Sequence, residues 1–158
     1  MNYSEEGLRY QIAKEATSWI GTKFHHQGRI KKSSFEVGGC DCIGLILAIA
    51  KKFGFVSRQD GKPLSEHDEF NYSKFPQKNK LFKKIEQHLA VVNRPYIKTG
   101  DIGLFKISTL PQHVGVFINE ATTSLVHAYQ VVGKVCMHNY SNLWRSRLIK
   151  SFSFNELR

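Results

Sequence analysis

The feature that most constrains how this chain can fold is the stretch at residues 37–54, VGGCDCIGLILAIAKKFG. Two glycines and Asp41 lead into twelve residues, Cys42 to Phe53, that are apolar apart from Lys51 and Lys52. Lysines suit the negative end of a helix dipole, and Gly54 is the residue type that most often follows a helix. The pattern predicts a buried helix with Cys42 in its first turn. Unpaired backbone N–H groups and the dipole favour an anion at that end, which predicts a lowered thiol pKa and more thiolate. Cys42 therefore reads in two ways, as a nucleophile or as a small core residue, the usual fate of a free cysteine.

Around this helix the chain divides into a helical half and a strand-rich half. Ser4 is a plausible N-cap with Glu5 and Glu6 behind it, and Leu8, Ile12, Ala16, Trp19 and Ile20 recur at helical spacing before Gly21. Residues 21–39 have glycines, polar residues and no sustained period, which predicts a long loop leading to Cys42. Residues 56–79 are polar and irregular. They hold Glu66, His67, Asp68 and Glu69, read as a solvated acidic loop because no second ligand cluster has metal-site spacing. Leu81, Phe82, Ile85 and Leu89 mark another amphipathic helix ending near Val91. From Thr99 the period becomes strand-like: IGLFKI after a TGD turn, HVGVFIN from His113, SLVHAYQ from Ser124 and KVCMHNY from Lys134. A helical turn near Trp144 and a last strand around Phe152 complete an α+β domain, with the Cys42 helix laid on an antiparallel sheet.

Composition narrows the function classes. The chain has 158 residues, 41% of them hydrophobic, enough for one domain with a real core and no dividing linker. No apolar run approaches the length of a transmembrane segment. The N-terminal MNYSEEGLRY lacks a basic region and an apolar stretch, which predicts synthesis in the cytoplasm without a secretory signal and a separate delivery route for work outside. Three cysteines fit a reducing compartment better than a disulfide framework. The net charge of +10 favours polyanions. The basic residues are scattered in short pairs, however, with no nucleic-acid motif, so no specific nucleic-acid partner is expected.

The strands supply what a cysteine nucleophile lacks. His113 opens one strand and His127 lies within the next, so antiparallel pairing can bring both imidazoles to one place. A thiol, a base and a group orienting that base are the parts of nucleophilic catalysis. In this reading His113 takes the proton from Cys42 and His127 fixes the tautomer of His113. Taken singly, a strand histidine is more often a packed or solvated residue than a catalyst, and five others stand at positions 25, 26, 67, 88 and 138.

At these residues the sequence resembles the NlpC/P60 cysteine peptidases of bacterial cell walls. The resemblance rests on DCIG at 41–44, TGDIGLF at 99–105, HVGVF at 113–117 and LVHAY at 125–129. WIGTKFHHQG, GCDCIGL, QHVGVF, LVHAY and the terminal NLWRSRLIKSFSF look more narrowly like the phage and gene-transfer-agent branch. The resemblance spans residues 19–154. It implies a papain-like α+β fold without cofactor or metal. It also implies hydrolysis of a peptidoglycan stem-peptide amide, such as that between D-glutamate and a diamino acid, through an acyl-enzyme on Cys42. By the same resemblance Asp41 helps recognise the free amine of the stem peptide, with N-capping as its simpler role, and phage-tail-like proteins become expected partners. The setting implied is the cell wall, reached after particle assembly. Ile43 stands where most of the family has Ser, and Thr99 replaces the Pro of a PGD turn. Phe24 stands where a Tyr is frequent, at the substrate side of the nucleophile. Three other readings share these residues: a catalytically silent tail component, an acyltransferase or amidase of the same fold, and a zinc protein built on Cys40, Cys42 and two histidines. Cys40 and Cys136 are assigned to packing.

Overall fold

The computed structural model describes residues 2–69 and 79–157; the stretch of the acidic loop at 70–78 lies outside the described residues. The first helix, α1 (Glu5–Ser18), begins at Ser4, whose hydroxyl accepts from the Gly7 amide at 3.0 Å, and ends at Trp19. The region read as one long loop contains a small antiparallel pair, β1 (Arg29–Ile30) and β2 (Gly39–Cys40). The central helix α2 (Cys42–Phe53) follows directly, capped by Asp41 and closed by Gly54 in the left-handed conformation, φ 69°. A short 3-10 turn at Leu64–His67 and helix α3 (Lys80–His88) complete the helical half. The expected end of α3 near Val91 is corrected to His88. Leu89 is already extended, and Ala90–Val91 form strand β3 against the last strand of the chain.

The strands β4 (Ile102–Ile107), β5 (Leu110–Asn119), β6 (Thr123–Tyr129) and β7 (Lys134–Asn139) form an antiparallel meander. After α4 (Asn142–Arg147), β8 (Leu148–Ser153) returns beside β4, giving the sheet order β3-β8-β4-β5-β6-β7. Strand β5 begins three residues before His113, with Pro111 inside it. Proline argues against a strand because it cannot donate to the ladder. Here it sits just past the register shift between Phe105 and Lys106, where a bulge tolerates it.

Alternation along the strands gives the sheet two buried faces. Ile102, Leu104, Val114, Val116 and Val126 face α1 and α2. Phe105, Phe117 and Leu125 face the other way, under Tyr140 and Trp144. The TGD turn is anchored by charge: Asp101, fully buried, accepts from Arg9 at 3.1 Å and from Arg94 at 2.7 Å, tying α1 to the start of β4. Among the described residues, no helix is long and apolar enough to cross a membrane.

Candidate active site

Local chemistry fixes where Cys42 stands. Asp41 Oδ1 caps α2 by accepting the Gly44 amide at 2.8 Å, and the same oxygen accepts Arg29 Nη1 at 2.9 Å. Its Oδ2 accepts the Gln27 amide at 2.8 Å. Arg29 is held in turn by Asp68, which accepts from Nε and Nη2 at 3.0 Å each. The acidic loop is thus more than a solvated segment. Asp68 positions Arg29, Glu69 pairs with Lys84 at 2.9 Å, and His67 stacks on His88 with ring centroids 4.4 Å apart. Gly44 explains the last residue of the DCIG motif, because a Cβ there would strike the carbonyl oxygen of Gly28. The helix start can approach the β1 segment only without a side chain.

The N-terminus of α2 meets the sheet where one ladder stops. Strands β5 and β6 pair from Val116–Val126 to Asn119–Thr123 but not at residues 113–115 and 127–129. Phe117 exchanges hydrogen bonds with the β4 side, its amide donating to Asp101 and its carbonyl accepting from Gly100, each at 2.8 Å. By the alternation of antiparallel ladders, the Val114 amide points toward β6, beyond the last rung. That amide is one of three, with those of Ile43 and Cys42 itself, that favour the anion of the Cys42 sulfur.

These donors do not win. Burial pushes the Cys42 thiol up to about 12, and the Asp41 charge adds to the rise. The lowered pKa expected from the helix terminus is therefore corrected: in a closely packed site, desolvation of the thiolate exceeds the help of the dipole and three amides. His113 moves the opposite way. Burial, with a smaller push from the Arg147 charge, lowers it to about 3. Burial likewise lowers His127, to about 2. The resting groups are a neutral thiol and neutral imidazoles.

The histidines form a chain. His113 Nε2 lies 2.7 Å from His127 Nδ1, and His127 Nε2 lies 2.9 Å from His138 Nδ1. Cys136 Sγ is 4.0 Å from His138 Nε2. Gly115 makes room for the first contact, since a Cβ there would lie 2.6 Å from Leu125 Cδ1 and 3.1 Å from His127 Cβ. Trp144 packs against three of these rings, edge-on to His127 at 4.8 Å between centroids, tilted to His113 at 5.8 Å and stacked on His138 at 6.2 Å. With His113 Nε2 occupied, Nδ1 is the nitrogen left to take a proton. A bare Nδ1 on His113 requires Nε2–H on His113, donating to His127. The same order then repeats, with His127 Nε2–H donating to His138 and His138 Nε2–H directed at the Cys136 sulfur. A bare Nδ1 on His113 thus goes with one proton order through three rings.

Cys42 and His113 line one cavity of about 1090 Å³, together with Asp41, Phe24, Val114, Tyr129 and the α3 residues Lys84 and Ile85. All the residues singled out in the sequence gather there except His127, which stands behind His113. The sequence reading missed His138, counted among the ordinary histidines, and placed Cys136 in simple packing. The period-2 spacing of Cys136 and His138 on a strand next to His127 was the available signal. The zinc alternative on Cys40 and Cys42 is corrected as well. Among the described residues, the three-ligand group is His127, Cys136 and His138. Cys40, Cys42 and Cys136 are free thiols.

No family model and no curated relative matches the sequence. Solved structures do match. The chain superposes on the NlpC/p60 domain of the peptidoglycan hydrolase SagA with a TM-score of 0.58 at 16% identity, covering 92% of this chain and 98% of that one. It superposes on an N-acetylmuramoyl-L-alanine amidase from Bacteroides uniformis ATCC 8492 with a TM-score of 0.58 at 14% identity, over 94% and 99% of the two chains. An NlpC/P60 family protein from Bacillus cereus ATCC 10987 gives 0.60 at 14% identity; 97% of this chain matches 43% of that longer one. The fold is that of NlpC/P60 domains, the α+β papain-like class.

Proposed function

We propose that this protein is a cell-wall cysteine hydrolase of the NlpC/P60 type that cleaves a peptidoglycan stem-peptide amide, such as the D-γ-glutamyl–diamino acid bond. The observation that supports the reading is that Cys42, at the start of α2, and His113 line one cavity, with His127 2.7 Å behind His113. His113 Nδ1 takes the thiol proton as the sulfur attacks the carbonyl carbon, and the Cys42 amide faces the developing oxyanion. The proton passes to the leaving amine, and water then releases the acid from the acyl-enzyme. Since both resting groups are neutral, proton transfer accompanies attack. His127 orients His113 and disperses its charge.

Phe24 and Asp41 contribute to the wall beside Cys42. Asp41 serves first as helix cap and partner of Arg29, so a substrate amine reaches it only in competition with that guanidinium. Lys80 and Lys84 on the α3 side of the cavity suit the carboxylates of a stem peptide. The phage-tail or gene-transfer-agent setting, and delivery to the wall after assembly, rest on the sequence blocks alone and are proposed with the rest.

The test is digestion of purified peptidoglycan by the wild type and by Cys42→Ala, with thiols kept reduced and fragments identified by mass spectrometry. New fragments from the wild type, reduced at least about a thousandfold in rate in the variant, are expected. Silence from both, on walls carrying diaminopimelate and on walls carrying lysine, would refute the hydrolase reading and leave the silent tail component or another acyl substrate.

A further inference from the structure

The histidine chain ends in a cluster that hydrolysis alone does not need. Cys136 stands directly opposite His127 across the β6–β7 ladder, and His138 follows two residues later on the same face. One ligand atom from each lies within 4.8 Å of the other two. Strand β7 is the edge of the sheet and His138 is only half-buried, so this end of the chain is reachable from solvent. One thiolate and two imidazoles are a donor set for zinc-class ions, and three protein ligands leave a fourth position for water. Bonds of about 2.0–2.3 Å to such an ion require ligand atoms roughly 3.3–3.8 Å apart, so closing the site asks about an ångström of movement at an edge strand.

We propose that His127, Cys136 and His138 form a site for a divalent ion of the zinc class, and that the bound ion silences Cys42 by reversing the proton order of the histidine chain. The site stands on the ligand geometry; the silencing rests on the hydrolase reading above. The ion takes the place of the hydrogen on His127 Nε2. A neutral imidazole bound to metal through Nε2 carries its hydrogen on Nδ1, so His127 now donates to His113 Nε2. His113 Nε2 must be bare to accept, so His113 then carries its hydrogen on Nδ1, the nitrogen that would otherwise take the thiol proton. Hydrogens balance along the chain: His113 Nε2–H passes to His127 Nδ1, the His127 Nε2 proton leaves to solvent, and His113 Nδ1 gains one from solvent. His138 ligates through its already bare Nδ1, and the Cys136 thiol releases one proton as it becomes a thiolate. The base is blocked although the ion never touches Cys42.

The full chain, stripped of metal and kept reduced, is titrated with Co²⁺. A thiolate-to-cobalt charge-transfer band saturating at one equivalent is expected, kept in Cys42→Ala and lost in Cys136→Ser and in His138→Ala. Two variants guard against a folding defect in either. Absence of the band, or its loss in Cys42→Ala with retention in Cys136→Ser, overturns the site. In ¹⁵N-labelled protein, long-range imidazole spectra show which ring nitrogen carries hydrogen. Zn²⁺ is expected to move the His113 hydrogen from Nε2 to Nδ1, and an unchanged His113 overturns the switch. Peptidoglycan digestion is expected to fall at least tenfold with Zn²⁺ in the wild type. A protein that never digests peptidoglycan but shows the band and the His113 change refutes the hydrolase reading alone.

Discussion

Cys42 and His113 have pKa values displaced away from each other, toward about 12 and about 3, and that separation governs how the pair responds to pH. Alkylation of Cys42 by iodoacetamide, located by mass spectrometry, is expected to quicken about tenfold per pH unit between pH 5 and pH 9 with no plateau, since thiolate accumulates only toward the thiol pKa. A plateau in the acid range would reveal a preformed thiolate–imidazolium pair. The buried imidazoles also set the acid limit of the fold. His113 and His127 stay neutral when folded but protonate near 6.5 when unfolded, so the unfolded state binds more protons below that pH. Stability is full above pH 6.5 and falls as the pH drops toward 3, because the unfolded chain takes up protons that the buried pair does not. Urea unfolding at pH 7, 6, 5 and 4 with a chelator present measures that slope; a flat profile would contradict it. The places of Cys42 at the helix start and of His113 and His127 on neighbouring strands were legible from strand period and chain order. Their protonation was not, because desolvation depends on packing from α3, β6 and α4, which no local spacing encodes.

Helix α2 was readable almost to the residue, since its cap, apolar run, terminal lysines and closing glycine all point the same way. What local pattern left out is how closely its start is pressed against β1. A Gly44→Ala variant must move the helix start away from the Gly28 carbonyl, at a cost of about 1–3 kcal/mol. Thermal melting and the digestion assay check this together, and a drop in activity of at least tenfold should accompany the loss of stability. An unaltered digestion rate would show that the position of the helix start matters less than the geometry implies. The short elements β1, β2 and β3 escaped sequence reading for a related reason. Two-residue strands carry no period, and their existence is decided by partners far along the chain, Ser153 and Phe152 in the case of β3.

The architecture as a whole depends on joining the helical half to the sheet, and Asp101 is a principal joint. Its carboxylate, with no exposure, balances Arg9 from α1 and Arg94 from the segment before β4. Asp101→Ala takes away the carboxylate that two largely buried guanidinium groups share, leaving Arg9 to Glu5 and Arg94 to the Tyr96 carbonyl, and is expected to cost about 3–5 kcal/mol in urea unfolding; a loss under 1 kcal/mol would mean that solvent reaches the arginines. Sequence marked this position only as a turn, since one of the charges meeting there, Arg9, lies 92 residues away in the chain. The sheet itself consists of two braced jaws, β4 with β5 and β6 with β7, each paired along nearly its whole length. The jaws share rungs only from Val116 and Val126 outward. Toward the cavity, past that last rung, no backbone rung joins the two. One jaw carries His113 and the other His127, so beyond that rung the 2.7 Å bond between two side chains, and not the backbone, is the latch that joins the jaws.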